Sequence, residues 1–132
     1  MKGLFPFAEE TRGITVRVSV SYLPEQSNPE GARWFWAYHI RLENAGVMAV
    51  QLMTRHWIIS DGRGAKHEVE GDGVVGEQPV ILPGASYDYV SGCPLSTPSG
   101  AMVGSFGMVA EDGSTFDVAV PRFALLTPVT AQ

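Results

Sequence analysis

Cysteine is nearly missing: Cys93 alone stands in 132 residues, so no disulfide can form within the chain. That fits a reducing compartment. A lone thiol inside an aromatic strand pattern reads as a small buried hydrophobe rather than a nucleophile. Basic residues are also scarce. Nine Lys and Arg against fourteen Asp and Glu give a net charge of −5. Nonspecific nucleic-acid binding, which needs a basic footprint, is disfavoured; the acidic excess serves solubility. Long apolar runs are lacking, with nothing near the ~20 residues that cross a bilayer. The start, MKGLFPFAEE, has one lysine and a brief apolar patch cut by Pro6, without the long apolar core of a signal peptide. The expectation is a cytoplasmic protein with neither membrane nor nucleic acid as partner. A sustained 3.6-residue apolar period is absent too, which argues against a helical core.

What the chain does have is alternation. Ile14, Val16, Val18, Val20 and Tyr22 alternate with polar residues as a half-buried strand does. After a turn-rich loop, PEQSNPEG, the residues Trp34, Trp36, Tyr38, Ile40 and Leu42 form the apolar face of a second strand. Two tryptophans and a tyrosine on one face bring a large buried area and read as core. Val50–Ile59 is apolar on both parities, which predicts a central strand or a bulge that resets the register. A bulge there would turn either Arg55 or His56 outward. Asp61-Gly62 marks a hairpin, and Lys66–Glu70 reads as a short polar edge strand whose charges discourage aggregation. Further strands are expected at Tyr87–Cys93, Met102–Met108 and Phe116–Val120, with Pro121 closing the last. Short strands with turn signals every ~8–12 residues point to one all-β sandwich or barrel. At this length one domain is expected.

The string GxGxxG at Gly71, Gly73 and Gly76 invites a phosphate reading. Such a loop works when its glycines admit a pyrophosphate and a following helix aims its N-terminus at the charge. Pro79 and Pro83 leave no room for that helix, and Glu68, Glu70, Asp72 and Glu77 surround the loop with negative charge. The favoured reading is architectural, with glycines taking positive φ. His67, Glu68, Glu70 and Asp72 suggest a cation site, but only the three carboxylates share a parity, and no tight-binding spacing is present. No HExxH, P-loop lysine or recognisable triad occurs, so no catalytic residue, no metal and no cofactor is expected.

The segments VQLMTRHWIISDGRG, EVEGDGVVGEQPVILPGASYDYVSGCPLSTPSGAMVGSF and FDVAVPRFAL resemble the bacterial ApaG proteins, also called CorD, over about residues 14–128. The resemblance implies a fibronectin type III-like (immunoglobulin-like) β-sandwich of about seven antiparallel strands. It implies a single ApaG domain over 1–132, with residues 1–11 loosely ordered. The family is linked to cobalt resistance and magnesium efflux, and its gene often neighbours one for diadenosine tetraphosphate hydrolysis. Eukaryotic relatives carry the domain in F-box substrate adaptors and in a DNA-polymerase-interacting protein. No established catalytic residues carry over. The implied function is a non-enzymatic adaptor acting on a protein partner that the sequence does not identify. The alternative is a binder of a phosphate-containing small molecule, pyrophosphate or nucleotide, with a divalent cation at Gly71, Gly73 and Gly76.

Overall fold

The computed structural model describes residues 5–128. In chain order its strands are β1 (Phe7–Thr11), β2 (Ile14–Tyr22), β3 (Trp34–Asn44), β4 (Val50–Asp61), β5 (Lys66–Asp72), β6 (Val80–Ile81), β7 (Ser86–Leu95), β8 (Ser99–Ala110) and β9 (Thr115–Leu126). Two single 3-10 turns, Pro24–Gln26 and Pro29–Gly31, fill the proline-rich loop before β3. One sheet has the order β1-β2-β3-β7; the other has the order β5-β4-β8-β9, with β6 also on β4. Every pairing is antiparallel. The all-β, fibronectin type III-like sandwich is therefore as expected, with β1 and β6 added to the strands read from sequence.

The alternation sets the core. Ile14, Val16 and Val18 of β2, with Trp36, Tyr38, Ile40 and Leu42 of β3, face Leu52, Trp57, Phe106, Val118 and Phe123 of the second sheet. Trp57 is the centre of an aromatic cluster. It meets Phe106 and Phe123 edge-on at 6.0 Å each and Tyr38, from the opposite sheet, at 5.6 Å. On the outer face of the first sheet Arg17, Glu43, Arg41 and Asp88 form a chain of ion pairs, and the His39 ring lies within hydrogen-bond distance of Asp88.

Two expectations need correction. The segment 1–11 was expected to be loosely ordered, yet Phe7–Thr11 pairs with Ile14–Val18 along its whole length. Its Phe7 ring lies 6.2 Å from Phe123, so apolar burial holds it in place. Residues 1–4 lie outside the described residues. Pro121 does not close the last strand, because β9 continues to Leu126 through a register shift where proline has no ladder bond to lose. Pro94 likewise sits inside β7, an edge strand.

The two sides of the sandwich differ. On one side β1 packs over β9, and the Thr11 hydroxyl accepts a bond from the Ala119 amide at 3.2 Å. On the other side the sheets end in β5 and β7, each with one unpaired edge.

Candidate functional site

The site begins with the irregular alternation of β4. The β4–β8 register shifts between Leu52 and Thr54, leaving Met53 as an extra residue. A bulge reverses which face the following side chains take. Leu52 is fully buried before it; beyond it Arg55, Trp57 and Ile59 face between the sheets, and His56 faces out. Without the extra residue His56 would point inward. Of the two residues singled out in the sequence, His56 is thus the one turned outward, and the inter-sheet space receives a guanidinium.

That space is a half-open cleft of about 630 Å³ between the β5 and β7 edges. Tyr38, Trp57, Val69, Leu95 and Met102 give it an apolar lining, and Arg55, His67, Tyr89, Ser91 and Cys93 supply the polar groups. No Asp or Glu lines it. Tyr89 is 9% exposed, and its hydroxyl opens to the cleft without bonding to any described residue. Burial pushes its ionisation well above the ordinary phenol range, with Arg55 pulling the other way. Tyr38 is raised for the same reason, with the Ser91 hydroxyl beside it easing the shift. Burial pushes the Cys93 thiol up to about 11. The thiolate, the reactive species, is therefore suppressed at neutral pH, and Cys93 is the structural thiol the sequence suggests.

The glycine loop forms one lip of the cleft. Gly71 stands opposite Arg55 in the β4–β5 ladder, and a Cβ there would lie 2.8 Å from the Arg55 Nη2. The missing side chain is what lets the guanidinium lie flat across β5. Arg55 Nη1 then donates to the carbonyls of Asp72 and Gly73, each at 2.9 Å. Val74 and Glu77 exchange both backbone bonds, at 2.8 and 2.9 Å, around Val75 and Gly76. Both central residues have positive φ, 49° and 79°, the mark of a type I′ turn. The Gly73 amide donates to the Met53 carbonyl at 2.8 Å, so the loop is fastened to the bulge. The three motif glycines therefore serve a clamp, a close crossing and a tight turn, and the amides of Gly73, Val74 and Glu77 are already bonded within the protein. Among the described residues no helix follows Gly76.

The remaining candidates separate by parity. His67 and Val69 line the cleft, and Glu68 and Glu70 face out with His56. His56 Nε2 lies 2.5 Å from Glu68 and 3.7 Å from Glu70. The ligand atoms of these three residues fall within 4.8 Å of one another, the one set among the described residues close enough to share a metal ion. Asp72 stands opposite Thr54 and outside that set. Sequence parity grouped the carboxylates but missed His56, which enters from the neighbouring strand. Counting residues back across the Asp61-Gly62 hairpin would have found it.

Comparison with known proteins places this arrangement. The family model described as the ApaG domain matches residues 24–110. The "Protein ApaG" of Rhodospirillum centenum is 54% identical over 122 residues, covering 92% of this chain and 94% of that protein. That of Afipia carboxidovorans is 57% identical over 118 residues, covering 89% and 91%. A crystal structure of the Bordetella pertussis protein named ApaA superposes with a TM-score of 0.86 at 45% identity, covering 89% of this chain and 95% of that one.

Proposed function

The chain belongs to the ApaG domain family, and from that premise we propose that it is a non-enzymatic, cytosolic binding module that engages a protein partner along the open side of the sandwich. One observation carries the reading: the unpaired edges of β5 and β7 flank the same apolar cleft. Unpaired edges offer backbone donors and acceptors to an incoming strand, and adjacent pockets supply side-chain specificity. The lip adds support. Val75 is 61% exposed and holds a β-branched side chain at φ 49°. A costly conformation and an exposed apolar group at one position are what a contact surface retains and a merely stable fold discards. Burial holds Cys93 as the thiol, which argues against its serving as a nucleophile. On this reading the cobalt and magnesium associations of the family act through the partner.

Affinity capture from native lysate tests it, comparing the wild type with Val69→Glu and Val75→Asn. Val69 lies on the edge strand, and asparagine suits the turn better than valine does. The expected result is a protein retained by the wild type and lost by both variants, with Val75→Asn folded and at least as stable. Identical recovery by all three, or no retained protein under several growth conditions, would overturn the proposal.

A further inference from the structure

We propose that the cleft is a binding site for a small amphipathic monoanion, a carboxylate with an apolar body, held by Arg55 and Tyr89. The argument starts from charge. The chain carries more acids than bases, yet the residues lining this cleft include one guanidinium and no Asp or Glu. Among the described residues Arg55 has no carboxylate partner. It is nevertheless fixed in place: Nη1 is bound to the Asp72 and Gly73 carbonyls, and the group lies across Gly71. Neither Nε nor Nη2 donates to a described residue, and these form the edge with which arginine grips a carboxylate through two parallel bonds.

The second observation is independent of Arg55. Tyr89 is more than nine-tenths buried, and its hydroxyl opens to the cleft without a protein partner. The residue is buried but its hydroxyl is reachable from the cleft and bonded to no described residue, which leaves it free to donate to a ligand. The Ser91 and Tyr38 hydroxyls, adjacent to each other, line the same cleft. The rest of the lining is apolar, with Trp57, Val69, Leu95 and Met102 available to a hydrocarbon or aromatic body. The volume, about 630 Å³, falls in the range of small-molecule sites, ~300–1,000 Å³.

The charge count selects the head group. Arg55 is the one permanent cation in the lining, with His67 the other basic side chain there, and one guanidinium neutralises one negative charge. A phosphate dianion would leave a second charge poorly solvated against an apolar wall, which is costly. A carboxylate leaves none. The proposal does not require the protein partner, and the partner proposal does not require the ligand.

The probe is octanoate, titrated into the 15N-labelled protein and followed by amide and tryptophan indole shifts. Octanol and octyl phosphate are the comparisons. Saturable shifts at Arg55, Trp57, Tyr89 and Ser91 are expected with octanoate. Octanol should bind at least about tenfold more weakly, the cost of a lost charge-assisted bond. Arg55→Gln should weaken octanoate by a similar factor while leaving octanol unchanged. Should Arg55→Gln fail to fold, Tyr89→Phe keeps the test, with octanoate weakened severalfold and octanol unaffected. Octanol matching octanoate, octyl phosphate exceeding it, or no saturable shift at millimolar octanoate would each overturn the proposal. None of those outcomes touches the Val69→Glu capture result, so the two proposals fail separately.

Discussion

Arg55 and Gly71 stand opposite each other in the β4–β5 ladder, and the guanidinium fills the space a side chain at position 71 would need. Gly71→Ala must therefore displace Arg55 and break its two bonds to the loop carbonyls. The expected cost is about 1–3 kcal/mol by urea denaturation, the range for overpacking and for bonds to a charged donor. The cost should fall sharply in an Arg55→Ala background, because the obstacle is then gone. A double-mutant cycle measures this coupling. Additive effects would mean that Gly71 is glycine for some other reason.

The other two glycines should rank differently. A Cβ on Gly73 would meet the Glu77 carbonyl oxygen at 2.2 Å, and φ there is 66°. Backbone cannot step aside as a side chain can, so Gly73→Ala should cost on the order of 3 kcal/mol. Gly76 has nothing within 4 Å of that position, so Gly76→Ala carries only the left-handed penalty of about 1–2 kcal/mol. Val75 pays a penalty of this kind already. Val75→Asn makes the Asn-Gly pair favoured in type I′ turns and should stabilise by about 1 kcal/mol. Thermal or urea melts of the three variants decide the order.

Pyrophosphate with Mg²⁺ should leave the amides of residues 72–77 in place. The amides of Gly73, Val74 and Glu77 are bonded internally, and Arg55 spends its Nη1 on the loop's own carbonyls. The positive end of a helix, which ordinarily draws phosphate to such glycines, is not supplied here. Specific shifts across the loop at millimolar ligand would restore the anion-binding reading of the motif.

The sequence carried the fold further than the site. Period-two alternation in β2 and β3 marks their inner faces directly, because their polar residues, Asn44 at the end of β3 excepted, stand on the outside. The mixed parity of β4 showed that something irregular lay near Arg55, but not which of Arg55 and His56 would turn inward. That depends on one extra residue at Met53, whose carbonyl accepts bonds from Gly73 and the Gln78 side chain. Such a bond joins residues about twenty apart, beyond the reach of local patterning. Phe7–Thr11 was missed for the opposite reason. Ala8, Glu9 and Glu10 are exposed, so the strand has too few apolar positions to show a period, and the neighbouring β2 edge organises it. The cleft was invisible because it is a gap between two edges and belongs to no single segment.

Alkaline pH should unfold the protein through its buried acids. Cys93 is 3% exposed, and burial moves its thiol from 9.0 to about 11; Tyr89 is raised further, also by burial. In both cases the folded state keeps a proton that the unfolded chain releases. Unfolding then gives up protons, and the slope of stability against pH is negative. The contribution of Cys93 is complete below the unfolded value near 9.0 and is lost as pH rises through about 11. Its size is on the order of 3 kcal/mol, from roughly 1.4 kcal/mol for each tenfold change. Urea midpoints at pH 7, 9, 10 and 11 should decline across that window. Cys93→Ala should flatten the decline, even though it lowers stability at pH 7, and Tyr89→Phe should flatten what remains at the top. A Cys93→Ala variant with the wild-type slope would show that the thiol meets water more freely than its burial indicates.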